Sequence, residues 1–339
     1  MRSLRLLVFA GLVLCFIVVV LGAYVRLTAA GLGCPDWPGC YGRATPAAAA
    51  SSAAAQAAFP GKPLDVGKAW HEMIHRYAAG TLGLVVLLIT VLMSASKGRT
   101  VWVGYPVLLL VTVLIQAVLG MLTVTWQLKP LIVTLHLIFG MTTLALLWWL
   151  WLSLPRYSWG VLIQRADRRW GGTSMLRFAH ELTLVAFALL VVQIALGGWT
   201  SSNYAAVACP DFPTCQNAWV PHADFRNAFV LWRGLGINYE GGVLENPARV
   251  AIHFTHRLGA LITTIALLVA SLFVIIRSSS ASVRVRAYAV LAALALQVAI
   301  GITMVKEAFP LPLATAHTAG AALLLLATLA LLMRTSYAR

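Results

Sequence analysis

The sequence predicts an all-α integral membrane protein with eight transmembrane helices, built as two parallel-repeat four-helix bundles with both termini cytoplasmic. Three observations predict it. Of the 339 residues 60% are hydrophobic and 10% charged, with a mean hydropathy of +0.86, which is more apolar surface than a water-soluble core hides. Apolar runs long enough to cross a bilayer recur along the chain. Finally, two stretches of it carry the same small, polar and ionisable residues in the same order.

A bilayer core needs roughly 20 apolar residues in helical form, and such runs cover positions 6–27, 69–94, 101–126, 131–154, 176–200, 250–276, 285–305 and 311–333. Backbone N–H and C=O groups find no water in lipid, so each run is expected to be helical. Arg2 and Arg5 before the first run, with Thr28-Ala29-Ala30 after it, also resemble a cleaved signal peptide. The run exceeds the usual apolar core of about 7 to 15 residues, and the internal repeat needs it as a helix.

Basic residues set the orientation. With the N-terminus inside, the inner segments carry Arg2, Arg5, Lys97, Arg99, Arg156, Arg165, Arg168, Arg169, Arg177, Arg277, Arg284, Arg286, Arg334 and Arg339, whereas the two short outer loops carry only Lys129 and Lys306. The net charge of +15 is therefore a topology signal in short clusters facing membrane lipid and water. It does not form the single basic, aromatic-bearing domain of a nucleic-acid binder.

An offset of 181 residues carries His75-Arg76 onto His256-Arg257, Gln116 onto Gln297, Gly120 onto Gly301 and His136 onto His317. A second offset, of 175, carries Gly22 onto Gly197 and the Cys34–Cys40 segment onto Cys209–Cys215, with Cys-Pro-Asp-x-Pro-x-Cys in both. The predicted organisation is a first four-helix half (1–155), a cytoplasmic linker (156–175) and a second half (176–339). An even number of spans keeps the halves in one orientation, related by an axis along the membrane normal. Long outer loops are expected at 28–68 and 201–248, the second with an aromatic segment from Trp219 to Trp232 suited to a short interfacial helix.

Ionisable groups inside a membrane are costly and mark functional sites. His75, His136, His256 and His317 each lie about six residues inside the outer end of their predicted span, roughly 9 Å deep at the helical rise. Two imidazoles on facing helices at one depth suit the two axial positions of a haem iron, which implies two haem sites toward the outer leaflet. Interhelical hydrogen bonding is the plainer reading of one such histidine, and zinc or copper would need further ligands at that depth.

Arg76 and Arg257 follow two of these ligand candidates and suit either haem propionates or the headgroup region. Gln116 and Gln297 suit either support of the ligands or helix-to-helix bonding. Three residues before the first histidine of each half stands Glu72 in one and His253 in the other, on the ligand's own face. Glu72 is either a proton-exchanging group beside the haem or a helix-end carboxylate. His71, His180 and His222 receive no role.

Cys34 with Cys40 and Cys209 with Cys215 are close pairs in outer loops, where disulfides form. Each pair either staples a Pro-rich loop or works as a reducible dithiol. Cys15 is expected to be a buried thiol.

Glu72-x-x-His75-Arg76, His136, His253-x-x-His256-Arg257, His317 and the paired cysteines together resemble the haem A synthase family of bacteria and mitochondria. The resemblance covers nearly the whole chain. It implies an oxidoreductase of the bacterial inner (plasma) membrane that converts the C8 methyl of haem O to the formyl group of haem A for terminal oxidases. It further implies haem b on His256 and His317, haem O on His75 and His136, an essential Glu72, and a contribution of the first Cys pair to activity. Haem O synthase and oxidase assembly factors are the partners it suggests. Two other functions fit the histidines alone: a quinol-linked di-haem b electron carrier, and a haem delivery protein without chemistry. A carrier would place its haems near both faces, and a delivery protein does not need Glu72.

Overall fold

A computed structural model describes residues 2–95, 104–154 and 173–335. Eight long helices organise them: α1 Arg2–Leu27, α2 Val66–Ala95, α3 Gly104–Thr125, α4 Pro130–Ser153, α5 Thr173–Ser202, α6 Asn246–Arg277, α7 Ala281–Lys306 and α8 Leu311–Thr335. No strand occurs among the described residues. All eight are long and apolar enough to cross a membrane, and intrahelical hydrogen bonds satisfy their backbone without water. The chain is an all-helical, multi-pass membrane protein. Most of the expected linker lies outside the described residues, as do Lys97, Arg99, Arg156, Arg165, Arg168, Arg169 and Arg339.

Several helices begin about a turn before their apolar run, as α2 does at Val66 and α6 at Asn246. Polar residues remain helical there because the ends of a span meet water and headgroups. As a result His75 and His256 sit deeper inside their helices than His136 and His317, which lie a turn and a half after Pro130 and Leu311.

The short connections share one local structure. Gln127 and Leu128 end α3 in the left-handed region (φ 50° and 60°), and Ala308 and Phe309 end α7 in the same way (55° and 62°). Leu128 N–H then bonds to the Thr123 carbonyl and Phe309 N–H to that of Met304, both at 2.8 Å. Such bonds satisfy the carbonyls that a helix end leaves open.

Helices α1 to α4 pack as a closed set, α1 on α2, α2 on α3, α3 on α4 and α4 on α1; α5 to α8 close in the same order. The sets meet where α4 touches α5 and α8, and where α1 touches α8. One apolar core runs through both sets, from Val8 and Leu12 of α1 through Val86 and Ile89 of α2 and Leu147 of α4 to Val274, Val290 and Leu325. It lies toward the N-terminal end of α1, and the histidines lie toward the opposite end, beneath the long connections.

Those connections carry little regular structure. The first holds the short helices Pro46–Ala50 and Ala53–Ala57, and the second a 3-10 turn at Ala206–Ala208 and a helix limited to Phe225–Ala228. The aromatic segment from Trp219 to Trp232 is thus helical over four residues only. Each connection contains a disulfide, Cys34–Cys40 and Cys209–Cys215. Asp36 accepts from the N–H of Tyr41 and Gly42 (2.6 and 2.8 Å), and Asp211 from those of Gln216 and Asn217 (2.6 and 3.0 Å). The Thr214 hydroxyl and these N–H groups hold the pKa of Asp211 below its ordinary value.

The second connection also reaches over the first helix set. Tyr239 N–H donates to the Gln127 carbonyl at 3.0 Å. Lys129, 1% exposed, donates to the Gly234 carbonyl at 2.5 Å and stands 3.0 Å from the ring centre of Trp232. The carbonyl and the aromatic face offset part of the cost of burying its ammonium, and that burial lowers its pKa. Arg26 at the end of α1 donates to the Ser201 carbonyl at 2.6 Å and lies over the Tyr204 ring.

Candidate functional site

Each of the four histidines rests on a glycine of the preceding helix. A Cβ placed at Gly22 would come within 3.0 Å of His75 Cε1, at Gly120 within 3.3 Å of His136, at Gly197 within 3.3 Å of His256 and at Gly301 within 3.1 Å of His317. The missing side chain lets the imidazole lie against the neighbouring backbone, so glycine and histidine together fix the ring's height and edge. The four histidines keep partial exposure, although Nδ1 of His75 and of His136 is buried without a hydrogen-bond partner. What stays accessible belongs to other atoms of those residues.

The rings of His75 and His136 face each other with centres 6.5 Å apart and planes at 77°. Two metal–nitrogen bonds of about 2 Å, with about 1 Å from each nitrogen to its ring centre, put the centres of two axial imidazoles roughly 6 Å apart. The first pair therefore fits a haem iron. The rings of His256 and His317 also lie within electrostatic reach of each other, and each has a glutamine amide nitrogen beside it, Gln193 Nε2 3.0 Å from His256 Nδ1 and Gln297 Nε2 3.3 Å from both ring nitrogens of His317.

Above His75, on the same helix face, Glu72 is 4% exposed. Its Oε2 accepts the backbone N–H of Cys34 at 2.9 Å, and its Oε1 pairs with Arg76. The carboxylate thus ties α2 to the first disulfide loop. In the second set His253 takes this position, 4% exposed, with Nε2 accepting from Arg257 Nε at 3.2 Å and its ring 6.3 Å from that of Phe309. The N–H of Cys34 on Glu72 has no counterpart there among the described contacts.

Arg76 and Arg257 turn toward the loops. Arg76 Nη1 donates to the carbonyls of Asp36 (2.9 Å), Pro38 (3.2 Å) and Gly39 (2.6 Å), and Arg257 to those of Thr214 (2.7 Å) and Cys209 (2.9 Å). A planar fork of five N–H donors suits such backbone clamping. The role was not foreseen from sequence, because it depends on where loop carbonyls point.

His71 meets Tyr24 edge-on, 5.1 Å between centres. His180 faces the Thr335 hydroxyl at 3.4 Å, far along the chain from either pair, and His222 is exposed in the second connection. Cys15 is a buried thiol in α1. One residue at the site was missed: Gln193 of α5, whose Nε2 lies 3.0 Å from His256 Nδ1 and 2.9 Å from the His256 carbonyl. The 175-residue offset that links Gly22 to Gly197 pairs it with Val18, and the change of residue type hid it.

Fold and site define a class: a polytopic helical membrane protein with paired imidazoles inside the bundle. The chain belongs to the COX15-CtaA family, described as cytochrome oxidase assembly protein, whose model matches residues 5–329. It is similar to a protein named "Heme A synthase" of Shewanella oneidensis, 40% identical over 319 residues, 93% of this chain and 91% of the relative. A protein of the same name from Paracoccus denitrificans is 32% identical over 327 residues, 89% of this chain and 80% of the relative.

Proposed function

We propose that this protein is a haem A synthase, an oxidoreductase converting the C8 methyl of haem O to the formyl group of haem A for terminal oxidase biogenesis. Family membership and the names of its relatives support that activity. The observation that carries the site is the facing pair of His75 and His136, 6.5 Å apart, with the buried carboxylate of Glu72 above it and His253 in the corresponding place.

In this reading His75 and His136 hold the substrate haem O in the first half (1–155), and His256 and His317 hold a resident haem b in the second (176–339). Haem iron, when bound, supplies the redox chemistry, and the chain supplies position and protons. Oxidising a methyl group releases protons as well as electrons, and Glu72 accepts or returns a proton at its carboxylate oxygens. The Cys34 N–H and Arg76 aim that carboxylate and tie it to the disulfide loop above the site. Arg76 and Arg257 hold the loops over the two sites and would supply the cations for a haem propionate at that end. The matched turns and glycine seats support the two-half repeat, and the distribution of basic residues supports cytoplasmic termini with both sites toward the outer leaflet of a bacterial inner membrane. Haem O synthase and oxidase assembly factors are the partners this role calls for.

The test is to express the chain in a host that makes haem O but lacks its own haem A synthase, extract the haems and separate them by chromatography with mass detection. Haem A or a hydroxylated precursor is expected. Haem b and haem O alone, from folded and reduced protein, would overturn the proposal.

A further inference from the structure

The lipid-facing stripe of α5 ends beneath a piece of the second connection. Phe178, Val185 and Val192 follow one another at intervals of seven residues, close to two helical turns, and so share one face. They are 50%, 58% and 56% exposed, which on a membrane-spanning helix marks the face turned to acyl chains. Trp199 is next in the series and is 6% exposed. Its indole N–H donates to the Ala228 carbonyl at 2.9 Å, so the short helix Phe225–Ala228 lies on the lipid side of α5. Its height follows from its neighbours. Trp199 stands two residues beyond Gly197, the glycine that seats His256, about 3 Å along the axis. Ala223 and Ala228 share an apolar cluster with Ala251 and Ile252 of α6, both inside the apolar run of that span. The segment therefore stands beside the outer ends of the spans and at their level.

What this segment presents outward suits that place. Phe225, Phe229, Leu231 and Trp232 are all exposed, and Trp232 meets Trp126 at the end of α3 edge-on, 5.6 Å between centres, as in the aromatic belt of a membrane boundary. Arg226 and Arg233 alternate with these apolar side chains. Its backbone is bonded within the protein: Asp224 N–H donates to the Pro247 carbonyl at 3.0 Å, Asn227 N–H to Asp224 Oδ1 at 3.1 Å, Ala228 N–H to the Asp224 carbonyl at 3.2 Å, and Arg233 to the Asn227 carbonyl at 2.5 Å. Backbone groups satisfied in this way can approach acyl chains, where water is scarce.

We propose that the segment from Phe225 to Arg233 is a phospholipid-binding surface that inserts into the outer leaflet beside α5, with its apolar side chains at the acyl boundary and Arg226 and Arg233 on lipid phosphates. An interfacial segment of this kind sinks about 5–10 Å into that boundary, and its cations gain from nearby phosphates. The occupant is the bilayer itself, because the exposed face continues the lipid-facing stripe of α5 and offers cations to an anionic layer. The same segment reaches Lys129 through Trp232 and Gly234, so lipid held here steadies the connection that spans the two helix sets. The inference is independent of what the histidine pairs bind.

The experiment places a thiol-reactive nitroxide on Phe225→Cys or Leu231→Cys in the full-length protein, reconstituted into vesicles of phosphatidylcholine and phosphatidylglycerol. Power-saturation EPR then compares collisions with oxygen, which concentrates among acyl chains, and with a water-soluble nickel chelate. At both positions collisions with oxygen are expected to exceed those with nickel, and the reverse is expected at Lys62→Cys, an exposed position of the first connection. Collisions favouring nickel at Phe225 and Leu231 would put the segment in water and overturn the inference. Suppressed collisions with both reagents would mean a protein cover, a second copy or another partner, and would overturn it equally. A second measurement uses the unaltered chain, with phospholipids carrying a photoactivatable group next to the headgroup and peptide mapping by mass spectrometry. Label on the peptide from Phe225 to Arg233 is expected, and label on the spans with none on that peptide would refute the insertion.

Discussion

At the scale of single residues the site depends on placing a few costly groups where only one partner reaches them. Glu72 accepts from Cys34 N–H and Arg76 within a buried setting. Replacing it by Gln keeps shape and removes the exchangeable proton. Glu72→Gln is expected to lower haem A formation by about 10²-fold or more, the usual worth of a positioned acid or base, while the visible spectrum of bound haem persists. Haem A at the wild-type rate in that variant would end the catalytic role of Glu72. The ligand assignment makes a different prediction: His256→Ala or His317→Ala loses the low-spin haem b spectrum of the purified protein, and an unchanged spectrum would refute it.

Helices meet at this site through the absence of side chains. Gly22, Gly120, Gly197 and Gly301 each let one histidine lie against the neighbouring helix, and Gly320 admits the Gln297 amide with no room to spare. Gly320→Leu is therefore expected to push α7 and α8 apart and cost about 1–3 kcal/mol, the range for overpacked cores, visible as a lower Tm in detergent. Gly80 of α2 is a control, since nothing lies within 4 Å of a Cβ built there. Gly80→Ala should be neutral or stabilising by about 0.5–1 kcal/mol. A similar Tm for both variants would show that the close α7–α8 approach does not limit stability.

Across the whole molecule, chain far apart in sequence is joined at the loop end. Both disulfide loops are bonded to an arginine of the helix beneath them, Arg76 and Arg257, and among the described contacts the first is bonded to a carboxylate, that of Glu72, as well. Cys34→Ala is expected to lower haem A yield more than Cys209→Ala, because only the first change frees the segment whose N–H aims the carboxylate. The comparison is made on haem extracts from variants with matched thermal stability, and equal yields would reduce both disulfides to staples. The second connection meanwhile seals the first set through Lys129, Trp232 and Tyr239, a contact that spans the two helix sets.

By itself the sequence determined the eight spans, the family, the two disulfide pairs and the four histidines. Each of these is local: apolar length decides a span, and spacing along one helix decides which residues share a face. Span ends shifted by about a turn, because hydropathy falls before helical hydrogen bonding does. Tertiary structure alone decided that Arg76 and Arg257 clamp loop carbonyls, that Glu72 is tied to Cys34, and that the side chain of Gln193 reaches His256. Those facts depend on the approach of backbone groups from separate helices and loops within a few tenths of an ångström. No periodicity along one helix encodes that distance.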